Sequence, residues 1–232
     1  MNDVYKIEMT ADGYETLYSQ KYGQTFHSIH GVLQEARHVF IDGCSVQSTF
    51  DQQKQASILE IGFGTGFNFL LSASLAIAAG ARLQYTALEN SLLPVSLLKT
   101  LNHGQLKGVG QLREQFINGL ETTRGTHPKF CFDPQIELEL IIGDATEAVL
   151  SPNIYDAVYL DAFSPDINPE LWNTRFFTKI YTAIKPRAVL ATYSSRGTVR
   201  RALQDVGFMV QKRPGPPGKR EVLIAKKEKT DH

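Results

Sequence analysis

The stretch ILEIGFGTGFNFLL (58–71) constrains this chain more than any other. Ile58 to Ile61 read as the end of a buried strand. Gly62, Gly64 and Gly66 alternate through a turn, and the Leu- and Ala-rich run from Phe67 has helical character. A strand that passes through a glycine turn into a helix is the opening unit of an open α/β sheet. Ligands of such sheets lie beyond the carboxyl ends of the strands, near the switch in strand order. The same stretch excludes two nucleotide readings. A dinucleotide fingerprint needs glycine where Phe67 stands, and a phosphate-binding P-loop needs a Gly-Lys-Ser/Thr that is absent.

The rest of the chain repeats the unit. Strand-like runs at 57–61, 83–88, 136–142, 155–160 and 188–193 alternate with helical patterns at 67–79, 91–101, 145–150, 169–184 and 198–206. Ser91 is expected to cap one helix, Pro169 to open another and Gly207 to end the last. Residues 108–126 read as an insertion with one amphipathic helix. The finish differs: strands at 208–212 and 221–225 are joined by RPGPPGKR with no helix between, which makes an antiparallel pair. The expected fold class is therefore α/β, a mostly parallel doubly wound sheet with a terminal antiparallel hairpin. Residues 1–50, with strand-like pieces such as HVFI, are expected to form an N-terminal extension over the active-site edge. Residues 51–232 form the main domain.

Charge adds a second constraint. The chain has 24 Lys/Arg and 24 Asp/Glu, but residues 1–184 hold 12 basic and 20 acidic side chains, whereas residues 185–232 hold 12 and 4. Such clustering is the footprint of a polyanion partner such as nucleic acid, or else a solvated face; Lys226, Lys227 and Lys229 read as part of a solvated tail. No apolar run approaches the roughly 20 residues of a membrane span. The start lacks a basic-then-apolar secretion signal. Cys44 and Cys131 are isolated thiols, so a reduced, cytoplasmic setting is expected. His27, His30 and His38 cluster without the acidic or thiol spacing of a metal site, and no metal is expected.

The element order is that of the class I methyltransferases, and Glu60-x-Gly62-x-Gly64-x-Gly66 resembles their motif I, where the turn passes under S-adenosyl-L-methionine (SAM). That resemblance implies a cofactor site made by Glu60, Gly62, Gly64, Thr65, Gly66 and Asn68, completed at later strand ends. Glu89 would meet the ribose hydroxyls, Asp144 with Ala145 the adenine, and Asp161 the transferable methyl and its acceptor. A further resemblance is narrower. YLDAFSPDINPELW (159–172), GFGTGFNFL (62–70), VRRALQDVGF (199–208), GKRE (218–221) and QEARHVF (34–40) resemble the methyltransferase half of the MnmC family. These bacterial enzymes complete 5-methylaminomethyl-uridine at the tRNA wobble position. The sequence runs to His232, and the family's FAD-dependent oxidase half is not expected to accompany it. The expectation is a stand-alone methyltransferase whose aminomethyl precursor comes from a separate enzyme.

The resemblance implies that a primary amine on uridine attacks the SAM methyl. Asp161, taken with an ordinary carboxylate pKa, would first orient the amine and only secondarily accept its proton. Phe163 and Tyr193 would wall the base pocket, or else belong to the core. Arg196, Arg200, Arg201, Lys212, Arg213, Lys219 and Arg220 are candidates for tRNA phosphates. Glu35 and Arg37 would close over the site, while Trp172 packs its helix. Two alternatives stand beside this reading. One is an aminopropyltransferase of the spermidine-synthase kind, to whose N-terminal strand pair HVFIDGCSVQ (38–47) is similar. The other is a non-catalytic SAM- or RNA-binding module.

Overall fold

The computed structural model describes residues 4–228. Its centre is an eight-stranded sheet. In chain order its strands are β4 (Gln55–Ile61), β5 (Arg82–Glu89), β6 (Lys129–Asp133), β7 (Ile136–Ile142), β8 (Tyr155–Leu160), β9 (Ile184–Thr192), β10 (Phe208–Pro214) and β11 (Glu221–Lys227). Their spatial order is β10-β11-β9-β8-β4-β5-β7-β6. The five central strands are parallel, and β11 and β6 run antiparallel to their neighbours. The expected fold class is therefore met, terminal hairpin included. Chain order reverses between β4 and β8, so the switch point lies directly beyond Ile61 and Leu160.

Buried strands alternate their loyalties. Ile58, Tyr85, Ala157 and Tyr159 face one layer with Phe50, Phe67, Phe69 and Phe116. Leu59, Val158, Leu160 and Leu190 face the other with Phe176, Phe177, Ile180 and Leu203. The first layer holds α2 (Val46–Gln53), α3 (Phe67–Ala79) and α5 (Gly110–Thr122); the second holds α6 (Thr174–Ala183) and α7 (Gly197–Val206). Near-continuous apolar runs in β4 and β8 follow from this two-sided burial. A smaller antiparallel sheet, β1 (Tyr5–Met9), β2 (Glu15–Ser19) and β3 (Gln24–Thr25), precedes α1 (Val32–Glu35). Leu17, Val32 and Phe40 join the first-layer core, so this N-terminal segment packs continuously with the sheet's helices.

Several sequence expectations need correction. HVFI is not a strand but part of a π-helical turn, Ala36–Ile41, whose Phe40 ring lies 5.2 Å from Tyr159. Helix packing has overridden its β-branched and aromatic composition. Residues 145–150 form a turn rather than a helix. Ser91 does not cap α4 (Val95–Thr100): its amide is held by Glu89, and Pro94 delays the helix. The 169–184 helix is broken. A 3₁₀ turn at Pro169–Leu171 stops at Trp172, and α6 restarts where the Asn173 side chain accepts the Phe176 amide at 3.1 Å. The strand β6 was not expected, although Phe130 and Phe132 alternate as a strand should and stack at 5.9 Å. Lys227 is not part of a solvated tail. It is buried in β11 and donates to the carbonyls of Tyr181 and Ile184 at 2.8 Å each. Lys226 is exposed, and Lys229 lies outside the described residues.

Candidate functional site

The switch point opens into a cavity of about 1360 Å³ lined by the ends of β4, β5, β7 and β8, the loop before β11, and the N-terminal sheet. The glycine turn fits its floor for two separate reasons. All three glycines have positive φ: +88° at Gly62, +53° at Gly64 and +77° at Gly66. A Cβ on Gly62 would stand 2.9 Å from the Ala162 backbone, so that glycine admits the neighbouring strand end. At Gly64 and Gly66 the crowding groups are the Phe26 and Phe63 rings.

The predicted cofactor residues separate into two shells. Gly62, Gly64, Glu89, Asp144, Ala145 and Asp161 line the cavity; Glu60, Thr65, Gly66 and Asn68 do not. Glu60 is fully buried behind the turn, accepting from Asn68 Nδ2 at 2.8 Å and from the Tyr85 hydroxyl at 2.9 Å. Burial, then the Asp161 charge, pushes its carboxyl well above the ordinary range. Asn68 also donates to Asp161 at 2.8 Å, so one amide orients both acids. Thr65 is buried against His27, whose ring burial lowers to about 4. His27, His30 and His38 point to different partners: Thr16, the Gly218 turn and the Pro214 carbonyl.

Glu89 holds the turn itself. Its carboxylate accepts the amides of Gly64 and Ser91, each at 3.0 Å, while burial raises its pKa. Asp144 is exposed and closes a turn on the Thr146 amide at 2.8 Å, which lowers its pKa. Lys179 of α6 explains why no helix follows. Its ammonium donates to the carbonyls of Ala145, Thr146 and Ala148, the first two of which a helix over 145–150 would use internally.

Asp161 is pushed well above the ordinary carboxylate range, first by burial and then by Glu35, with Lys219 and Asn68 pulling the other way. The ordinary carboxylate expected from sequence is thus corrected: this acid is a better proton acceptor than its residue type implies. Phe163 and Tyr193 both line the cavity. Phe163 packs against Tyr22 at 4.6 Å and Phe26 at 5.2 Å, and its carbonyl accepts the indole N–H of Trp172 at 3.0 Å. Tyr193 donates to the Ala162 carbonyl at 2.8 Å.

The basic candidates differ in exposure and pairing. Lys219 belongs to the cavity wall, ion-paired with buried Glu35 at 2.5 Å. Arg196 pairs with Asp166, and Lys212 with Glu221 at 2.6 Å. Arg200 is half-buried; Arg201, Arg213 and Arg220 are exposed. Sequence reasoning missed Tyr22, Gln24 and Phe26. Gln24 reaches across to Ser164 at 2.8 Å, a contact spanning 140 residues that no local pattern encodes. The strand-favouring Thr and Tyr of ETLYS were the readable sign of the sheet that carries them.

Acidic groups outnumber basic ones around the cavity: Glu8, Glu35, Glu89, Asp144, Asp161 and Glu170 against Lys21 and Lys219. Such a lining repels phosphates and suits a cationic ligand. SAM, with its sulfonium and ammonium, fits it. Gly62 and Gly64 would underlie the cofactor, with Glu89, Asp144 and Ala145 available to its ribose and adenine.

The comparisons agree with this geometry. The profile of a family described as S-adenosyl-L-methionine-dependent methyltransferase matches residues 108–228. The bifunctional protein MnmC of Paracidovorax citrulli, named for tRNA 5-methylaminomethyl-2-thiouridine biosynthesis, is 37% identical over 94% of this chain. The protein of the same name from Polaromonas naphthalenivorans is 33% identical over 94%. The chain spans 35% of the length of each. Among solved structures, MnmC2 of Aquifex aeolicus superposes with a TM-score of 0.81 at 26% identity, covering 99% of this chain and 74% of that one. Spermidine synthase of Thermotoga maritima reaches 0.55 at 14% identity, covering 100% and 75%, a likeness of fold alone. No helix among the described residues is long and apolar enough to cross a membrane.

Proposed function

The chain belongs to the S-adenosyl-L-methionine-dependent methyltransferase family, and from that membership we propose that it methylates the primary amine of 5-aminomethyl-uridine at the tRNA wobble position. The observation that carries the acceptor is Asp161, a cavity acid of raised pKa beneath the aromatic walls of Phe163 and Tyr193. The similarity to MnmC proteins over nearly the whole chain supports tRNA as its bearer. In this reading residues 1–50 are an extension that completes the acceptor half of the cavity. A separate enzyme supplies the aminomethyl group, and the reaction belongs to the cytoplasm.

Gly62 and Gly64 would underlie SAM, which when bound would supply an electrophilic methyl for the amine lone pair, its sulfur keeping the electron pair as a neutral thioether. The chain's own residues make that lone pair available and aim it. A lysine-like amine, pKa about 10, arrives mostly protonated. Asp161, raised by burial and oriented by Asn68, accepts a proton and holds the nitrogen in place. Phe163 and Tyr193 exclude water and offer apolar faces to an unstacked base. Glu89 fixes the turn through the Gly64 amide, so the floor is set before either substrate binds.

The test is incubation with SAM and tRNA bearing 5-aminomethyl-uridine, followed by nucleoside mass analysis. A gain of one methyl on that nucleoside is expected. Absence of that product, with aminopropyl transfer to putrescine from decarboxylated SAM, would replace this reading by the spermidine-synthase one. Asp161→Asn should bind SAM as the wild type does and lose about 10²–10⁴-fold in kcat.

A further inference from the structure

The loop between β10 and β11 is docked on the N-terminal segment at three points. His38 Nε2 lies 2.7 Å from the Pro214 carbonyl. The His30 ring leaves no room for a side chain at Gly218, where a Cβ would come within 2.0 Å of it. Lys219 then turns into the cavity, its ammonium 2.5 Å from Glu35 Oε1 and 3.9 Å from the centre of the Tyr193 ring. Glu35 is itself anchored, with Oε2 accepting the Ser28 amide at 2.6 Å. Glu35 thus holds the Lys219 ammonium directly, and Asp161 lies in the same cavity lining, so two carboxylates face one cation and a second cation would balance the group.

We propose that Lys219, held by Glu35 and Tyr193, is a positioning residue for the acceptor amine: its charge offsets that of Glu35 beside Asp161, and so sets the acid limb of the methyl-transfer pH profile. This rests on the amine reading above. The charged and titratable groups facing Asp161 are Glu35 from α1, Lys219 from the loop, Glu60 from β4 by way of Asn68, Tyr85 from β5 and Tyr193 after β9. Lys219 and Glu35 act on Asp161 with opposite sign, Lys219 favouring its carboxylate and Glu35 its acid form. Removal of the lysine leaves two acids competing for protons. Removal of the glutamate leaves the lysine to Asp161 alone.

The measurement is kcat/KM against pH for Lys219→Met, Lys219→Arg, Glu35→Gln and the Glu35→Gln/Lys219→Met double variant. Carboxyl-carbon NMR titration of Asp161 without substrate accompanies it. Lys219→Met should move the acid limb and the Asp161 midpoint up by about one pH unit, and Glu35→Gln should move both down. Lys219→Arg should keep the wild-type profile, and the double variant should return towards it. The proposal is overturned if Lys219→Met folds and the Asp161 midpoint stays where it was. If the wild type never methylates the amine but the NMR midpoints move as stated, the acceptor assignment fails and the charge coupling stands.

Discussion

The Nδ2 amide of Asn68 is divided between two carboxyls, Glu60 and Asp161, at 2.8 Å each. Glu60, read as a cofactor acid, is buried behind the turn and does not line the cavity. Glu60 was legible as an acid beside a glycine turn; its direction was not, because the strand pleat sends it into the core towards Tyr85. Its raised pKa has a definite sign. The folded chain keeps a proton that the unfolded chain releases, so this stability is present below the ordinary carboxylate value and lost as pH rises through the folded one. His27 and His103, lowered by burial to about 4 and about 3, work oppositely and favour folding above their ordinary value. Comparison of Glu60→Gln with the wild type cancels the histidines. The variant should melt higher by a larger margin at pH 8 than at pH 5, at about 2–4 °C per kcal/mol. Equal margins at both pH values would mean an ordinary Glu60.

At the scale of elements, the strands and the longer helices were readable because their periodicity reports burial on two faces. One misreading lies where a single side chain from elsewhere decides the backbone. The turn after β7 is the instructive case. Its sequence, ATEAVL, has good helix formers, yet Lys179 arrives from α6 and takes three of its carbonyls. That lysine joins the outer face of α6 to the loop carrying Asp144 and Ala145. Lys179→Met should therefore free the loop without opening the core. The expected result is a SAM Kd weaker by about tenfold, as loss of a charged hydrogen-bond hub costs about 1.5–3 kcal/mol locally, with kcat at saturating SAM unchanged. Calorimetric titration with SAM measures it. A Kd equal to the wild type's would mean that the loop keeps its shape without the lysine.

For the whole molecule, charge was the most visible feature of the sequence and the least informative about where its parts would go. The basic last fifth of the chain suggested a seven-residue phosphate patch, but folding sets acidic residues against three of its members. Lys219 is paired inside the cavity with Glu35, Arg196 with Asp166, and Lys212 with Glu221. Arg201, Arg213 and Arg220 are exposed without an ion pair among the described residues. The cavity itself is acidic, so under the proposed function RNA would approach over these arginines while its target amine enters a site that favours cations. Counterion release turns that division into a number. Each phosphate contact to a single strand contributes about −0.7 to the slope of log affinity against log salt, so three arginines give about −2 and all seven candidates about −5. Titration of an anticodon stem-loop at several salt concentrations should return the shallower slope. Arg201→Ala, Arg213→Ala and Arg220→Ala should each reduce it by about 0.7, whereas Lys212→Ala should leave it unchanged. A slope near −5 would mean that the ion pairs open on RNA and that the whole basic segment faces the phosphates.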